Sequence, residues 1–245
     1  MNSTGHCGLH HRRHVQANLH PRSRRRRTGT LHHPSRSRLP PSKPFITVLL
    51  RSLDSSSSAR LSLEQTLPSL DVSITYRDLT SPPSVLALIF AKFDIVISAS
   101  GFVGGPGTRF NLCRAALESG VGWYIPWQFG VDYDLIGRGS CQPGFDEQLD
   151  VRDPLRSQSK MRWTIISTGI FSSFLFEPFF GIVNLEGRTV TALGAWENPI
   201  TMTSAEDIGR LTARIVLDNN DSGVGRDVWS MSQGTRRPSG KWWRW

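Results

Sequence analysis

Few residues after position 44 can do chemistry, and what is missing narrows the reactions open to the chain. All seven histidines fall between Met1 and Pro44. From Phe45 onward there can be no Ser–His–Asp triad, no Cys–His pair and no His-rich metal site, so no resident metal is expected. Three tyrosines (Tyr76, Tyr124, Tyr133) and four lysines (Lys43, Lys92, Lys160, Lys241) are present, and none forms Tyr-x-x-x-Lys. The three cysteines, Cys7, Cys113 and Cys141, lack metal-ligand spacing. Cys113 sits at helical spacing, where packing is expected rather than nucleophilic attack. An odd cysteine count speaks against a disulfide framework and for a reducing, cytoplasmic setting. Hydride transfer by a bound cofactor needs little from the protein beyond orientation and a proton source, so the scarcity of titratable groups does not contradict it.

Two positions bear on such a cofactor. Arg51 directly follows an apolar run, where a guanidinium can pair a ribose 2′-phosphate and favour NADP over NAD. It can equally be a solvated surface arginine, and the sequence weighs the two evenly. Gly101 follows the run DIVIS and lets backbone approach a ligand, or simply makes a tight turn. Asp132, Tyr133 and Asp134 cluster after a glycine at a strand end. They either face a substrate or belong to an ordinary loop.

The elements that must position these residues alternate between strand and helix. Phe45–Leu50 (FITVLL) reads as a buried strand, Asp54–Ser58 as a polar loop, and Val72–Tyr76 as a second strand. Pro82 and Pro83 sit at a helix start, where a missing N–H is tolerated, and Val85–Phe90 continues that helix. Asp94–Ser98 is apolar on both faces and reads as a parallel strand that opens into Gly104, Gly105 and Gly107. A helix over Thr108–Glu118 ends at Gly120. Trp123–Pro126 is the next strand, and a helix over Phe145–Gln158 is kinked at Pro154. Strands at Trp163–Ser167 and Thr189–Leu193 follow, and Ser204-x-x-Asp207 caps a helix reaching Leu217. This alternation predicts an α/β fold with a doubly wound parallel sheet, whose ligands sit beyond the strand C-termini.

Charge divides the chain. The formal net charge is +9, yet residues 1–44 hold nine Arg, one Lys and no acid, which leaves the remainder at −1. Few apolar residues and no periodicity make disorder the expectation for 1–44. Its Ser/Arg/His/Pro mixture, like residues 233–245 with Trp242, Trp243 and Trp245, resembles an out-of-frame reading of coding DNA. The folded domain is expected over 45–232. Because the basic residues sit in one tail without interleaved aromatics, no nucleic-acid partner is expected. No run reaches the ~20 apolar residues of a membrane span, so no membrane partner is expected either.

Several stretches together resemble the fungal NmrA-like and isoflavone-reductase-like family, atypical relatives of the short-chain dehydrogenases. They are DIVISASG (Asp94–Gly101), LCRAALESG (Leu112–Gly120), YIPWQFGVDYD (Tyr124–Asp134), FDEQLDVRDPLR (Phe145–Arg156), WTIISTGIFSSFLFEPFFG (Trp163–Gly181) and AEDIG (Ala205–Gly209). The resemblance implies a Rossmann-like NAD(P)-binding fold and an oxidoreductase that uses NADP, with NAD less favoured, on a small carbonyl or enone of secondary metabolism. An NAD(P)-sensing regulator with a protein partner, or a truncated inactive member, is the alternative it leaves. It implies that Arg51 reads the 2′-phosphate and that Ser98, Ala99, Ser100 and Gly101 lie along the dinucleotide. Thr168, Gly169 and Phe171 would line the nicotinamide and substrate side, and Gln128, Phe129 and Gly130 occupy the family's Pro-x-x-Phe-Gly loop. Where plant-type members carry a catalytic lysine this chain has Gln148, which cannot give a proton as an ammonium does. Gln148, Tyr133 and the more distant Lys160 are the candidates for the chemistry. The family's first strand and its G-x-G-x-x-G should stand 25–30 residues before Phe45, and no such pattern occurs there. The sheet is therefore expected to lack its central strand.

Overall fold

The structure is a computed structural model that describes residues 16–20, 44–51, 58–102, 104–192, 194–218 and 225–229. The run Arg24–Arg27, residues 233–245 and nearly all of the Asp54–Ser58 loop lie outside the described residues. The chain divides into two compact units, Met1–Tyr124 and Ile125–Trp245.

In the N-terminal unit, strands β1 (Gln16–His20) and β2 (Phe45–Leu50) are followed by helix α1 (Ser58–Ser69) and strand β3 (Val72–Tyr76). Helix α2 (Pro83–Phe90), strand β4 (Ile95–Ile97), helix α3 (Thr108–Ser119) and strand β5 (Trp123–Ile125) complete it. The strands lie in the order β5-β4-β1-β2-β3. The apolar end of β2 buries Val48, Leu49 and Leu50, each 2 % exposed or less. β2 and β3 run parallel, in register from Ile46↔Val72 to Leu50↔Tyr76. A parallel pair needs a crossover, and α1 supplies it. Leu67 of α1 packs with Val48 and Leu50, and Leu63, Val72 and Ile74 surround them. The sequence showed no helix over 58–69, because a serine run opens it and its apolar positions are sparse. Leu63 and Leu67, drawn onto the strands, decide the matter.

The sheet position expected to stand empty is filled, by a short antiparallel strand rather than by a parallel first strand with a Gly-rich loop. Gln16–His20 form β1, which occupies the slot between β2 and β4 and pairs antiparallel with both. Its register runs Gln16↔Leu49 to His20↔Phe45 on one side and Ala17↔Ile97 to Leu19↔Ile95 on the other. Two strands that each demand a partner for their backbone N–H and C=O groups accept one from a segment of low apolar content. The middle of an otherwise parallel arrangement is thus antiparallel.

The two helices after β3 follow the sequence closely. Pro83 starts α2 within its first turn, and Gly120, at φ 69°, closes α3. Asn111 on α3 donates from Nδ2 to the carbonyls of Leu79 (3.1 Å) and Ser81 (2.8 Å), which fixes the helix to the turn after β3. Cys113 is fully buried, and burial pushes its thiol up to about 12. At neutral pH it is a packing group.

In the C-terminal unit, α4 (Tyr133–Ile136) and α5 (Pro143–Arg156) precede strands β6 (Arg162–Ser167) and β7 (Ile170–Phe171). Two 3₁₀ turns (Ser172–Phe176, Pro178–Phe180) lead to β8 (Val183–Asn184), β9 (Thr189–Val190) and β10 (Met202–Thr203). Helix α6 (Ala205–Asp218) and strand β11 (Gly225–Trp229) follow. β6 and β11 pair in parallel, from Gly225↔Trp163 to Trp229↔Ser167, with α6 in the crossover. The Ser204 hydroxyl accepts from the Asp207 N–H at 3.0 Å and donates to its carboxylate at 2.7 Å, the cap that the spacing predicts. The strand expected over Thr189–Leu193 shortens to Thr189–Val190, in a hairpin with β8. Among the described residues no helix is long and apolar enough to cross a membrane.

Candidate functional site

The candidate residues fall on both units. In the N-terminal unit they gather where β2 and β4 end. Arg51 follows β2 half-buried, and its carbonyl accepts from Arg60 Nη1 at 2.7 Å. After β4, Ser98 and Ser100 are each 1 % exposed, with hydroxyl oxygens 3.3 Å apart. Gly101 takes φ 61°, a conformation that glycine reaches without penalty, and its carbonyl accepts from Arg109 Nη1 at 3.2 Å. The Arg109 guanidinium also lies over the Phe102 ring at 4.4 Å, so this turn is clamped from its own helix. Asp78 sits in the turn after β3. The backbone and hydroxyl of Thr80, and more weakly the charge of Arg51, hold its carboxyl below the usual range.

In the C-terminal unit a polar relay is built on α5. Gln148 and Arg152 are one helical turn apart and share a face, with Arg156 one turn beyond. Gln148 is 0 % and Arg152 1 % exposed. Gln128, also 0 % exposed, donates from Nε2 to Gln148 Oε1 (2.7 Å) and to the Gln148 carbonyl (3.1 Å). Arg152 Nε donates to Gln128 Oε1 at 2.9 Å, and Arg152 Nη1 to Asp134 at 2.5 Å. Arg156 meets both oxygens of Asp134, at 2.9 and 2.8 Å. Asp134 reaches this position because Asp132 caps α4, accepting from the Leu135 N–H at 3.1 Å. Hydrogen bonding from Arg156, helped by the charges of both arginines and opposed by desolvation, holds the Asp134 carboxyl below its ordinary value.

Tyr133 is 2 % exposed, flanked edge-on by Phe145 (5.2 Å) and covered by the Arg152 guanidinium (5.3 Å). A Cβ at Gly130 would strike the Tyr133 hydroxyl, so glycine there lets the phenol lie against the loop. The carbonyl of Gly130 accepts from the N–H groups of Thr168 (3.1 Å) and Gly169 (2.9 Å). The turn 128–130 thus ties Gln148 on one side to Thr168 and Gly169 on the other. Phe129 is buried, and Phe171 stacks on Trp127 at 6.4 Å.

Lys160 does not join this group. It is exposed, in the turn before β6, and its backbone N–H is held by Gln158 at 2.9 Å. Thr168 follows the opposite end of that six-residue strand, about 20 Å away. Arg152 and Arg156, which do join it, escaped the sequence reading. The available signal was their spacing from Gln148 along one helix face.

Three buried polar atoms of this group have no hydrogen-bond partner: Gln148 Nε2, Arg152 Nη2 and Thr168 Oγ1. Each such atom costs about 1–3 kcal/mol unless something satisfies it. Two of the three can only donate.

Gly169 has φ 77°, and a Cβ there would lie 2.5 Å from the Thr201 carbonyl oxygen, which already accepts from the Ile170 N–H at 2.9 Å. Gly169→Ala is expected to cost about 2–3 kcal/mol from left-handed strain and that backbone clash. Urea denaturation measures it, and a loss under 0.5 kcal/mol would show that the turn relaxes freely.

Crossovers β2–α1–β3 and β6–α6–β11, with candidate residues beyond the strand ends, define an α/β protein of the Rossmann-like class. The NmrA-like family matches over residues 43–233, and the chain belongs to that family. It is 45 % identical over 188 residues to an NmrA-like family domain-containing oxidoreductase of Gibberella moniliformis, a match covering 76 % of this chain and 60 % of that protein. Isoflavone reductase is similar in structure, with a TM-score of 0.60 at 19 % identity, covering 75 % of this chain and 60 % of its own. The leucoanthocyanidin reductase–NADPH complex from Vitis vinifera gives 0.58 at 18 % identity, covering 75 % and 59 %. The chain thus spans about three-fifths of the length of each of these proteins. The family and fold implied by the motifs hold.

Proposed function

We propose that the chain is an NADP-dependent oxidoreductase of the cytoplasm that reduces a small carbonyl or enone of secondary metabolism. What supports this reading is the likeness, 45 % over 188 residues, to a relative named as an oxidoreductase. In the N-terminal unit the residues present fit the phosphate-bearing part of the cofactor. Arg51 stands at the end of β2, and Ser98 and Ser100 lead into a turn at Gly101, which takes φ 61°. Arg51 would hold the 2′-phosphate and Ser98–Gly101 would lie along the dinucleotide. No G-x-G-x-x-G precedes Phe45 to take the pyrophosphate, so affinity is expected to be weaker than in a chain that has one. The bound cofactor supplies hydride. In the C-terminal unit this chain's own residues supply hydrogen-bond donors for a substrate oxygen and aromatic surface from Trp127 and Phe171.

Calorimetry with NADPH and NADH tests the reading. NADPH is expected to bind the more tightly, and Arg51→Ala is expected to lower its affinity about tenfold, ~1.4 kcal/mol, with a far smaller effect on NADH. Equal affinity for the two nucleotides, untouched by Arg51→Ala, would remove Arg51 from the site. Binding without turnover against a panel of ketones and enones would favour the regulatory reading, which the glutamine at position 148 also favours.

A further inference from the structure

The relay on α5 has a direction, and that direction determines what its open end can bind. A guanidinium has only donors, so the Gln128 atom facing Arg152 Nε must be the oxygen. Its amide nitrogen then faces α5 and donates to Gln148, so Gln148 must present its own oxygen there. The far end of the Gln148 carboxamide is consequently its NH2, which is buried and without a partner. Turning either amide over would set donor against donor. Asp134, held by both arginines, anchors the start of the relay.

We propose that Gln148 Nε2 is the contact for the carbonyl oxygen of an uncharged ligand, and that Gln128 and Arg152 are positioning residues that fix its polarity. Three features carry this. The open end is a donor by necessity. The second buried orphan on this face, Arg152 Nη2, is also a donor, and the third, Thr168 Oγ1, is a hydroxyl that serves in either sense. Thr168 and Gln148 are bonded to the same three-residue turn, through Gly130 and Gln128. A set rich in donors and poor in acceptors recognises oxygen, and it strengthens its hold as that oxygen gains negative character. A carboxamide donates without giving up its proton, so residue 148 polarises a carbonyl and does not protonate it. The inference rests on the carbonyl-reductase reading and specifies which atom of this chain that substrate meets.

The side-chain amide signal of Gln148 in the 15N-labelled full chain, identified by its loss in Gln148→Leu, provides the test without any cofactor. 2-Cyclohexenone is expected to shift this signal progressively, and cyclohexene, the same ring without the oxygen, is expected to leave it in place. Gln148→Glu keeps the shape and still accepts from Gln128, but turns an acceptor toward the ligand. It is expected to weaken cyclohexenone at least about tenfold in ligand-observed titrations. Gln128→Leu frees the carboxamide to rotate, and in a chain that still melts cooperatively the shift is expected to shrink. No shift with cyclohexenone up to its solubility limit, or an equal shift with cyclohexene, overturns the proposal and leaves a buried water as the amide's partner. If NADPH still binds in that case, only the role of Gln148 falls and the oxidoreductase reading stands.

Discussion

Asp134→Ala is expected to destabilise the chain by about 2–3 kcal/mol, whereas Arg156→Ala costs less than about 1 kcal/mol. The asymmetry follows from burial. Arg152 is 1 % exposed and cannot lose its charge, so removing Asp134 strands a guanidinium away from water. Because the Asp134 side chain is 41 % exposed, water entering the vacated space offsets part of the penalty, which keeps the figure below that of a fully buried pair. Removing Arg156, itself 34 % exposed, leaves Asp134 still paired with Arg152 and partly hydrated, so no charge is stranded. Urea denaturation of the two variants measures both effects, and equal losses would show that Arg152 is not stranded. The same contact predicts a pH dependence. Asp134 holds its proton less tightly folded than unfolded, because Arg156 hydrogen-bonds the carboxylate and both arginines attract it. Its contribution is therefore complete above the unfolded value, about pH 4, and is lost as pH falls through the lower folded value. The wild-type chain should therefore lose more stability than Asp134→Ala as pH falls from 5 to 3, and acid titration of the two chains followed by urea denaturation checks it.

Asn18→Pro is expected to cost at least about 3 kcal/mol, and a chain beginning at Pro44 is expected to lose its cooperative thermal transition or to associate. Asn18 lies at the centre of β1, opposite Thr47 on one side and Val96 on the other. Proline has no N–H to give and is not tolerated between two strands. Removing the whole of β1 opens the facing edges of β2 and β4 and uncovers backbone groups that no other described strand reaches. At about 0.5–1.5 kcal/mol per hydrogen bond the loss approaches the entire stability of a domain. Circular dichroism during heating, with light scattering to detect association, reads the outcome. If the shortened chain melts like the full one, β1 holds nothing together and the sheet tolerates the gap.

The helices and parallel strands from β2 to α6 were legible wherever a strong local signal agreed with the packing. FITVLL is apolar enough to be buried in any arrangement, Gly120 stops α3 because only a left-handed residue fits there, and Ser204 with Asp207 caps α6 through their own side chains. The motifs likewise placed the chain in its family, and that placement holds over residues 43–233. α1 was not legible, since its helix depends on Leu63 and Leu67 meeting the strands rather than on its own serine-rich start.

The sequence by itself narrowed the chemistry open to residues 45–245, because the absence of histidine there excludes His-dependent reactions by composition alone. It also marked Gln148, Tyr133, Gln128 and Thr168 as candidates, through short motifs whose residues are near one another in the chain. Only the tertiary structure decided that Lys160 stands at the wrong end of β6 and that Gln16–His20 fill the central slot. It alone made the Gln148 carboxamide a donor. The reason is the same in each case. A local pattern fixes what a segment can be, while strand partners and amide polarity depend on groups 18 to 30 or more residues away, whose approach no local pattern encodes.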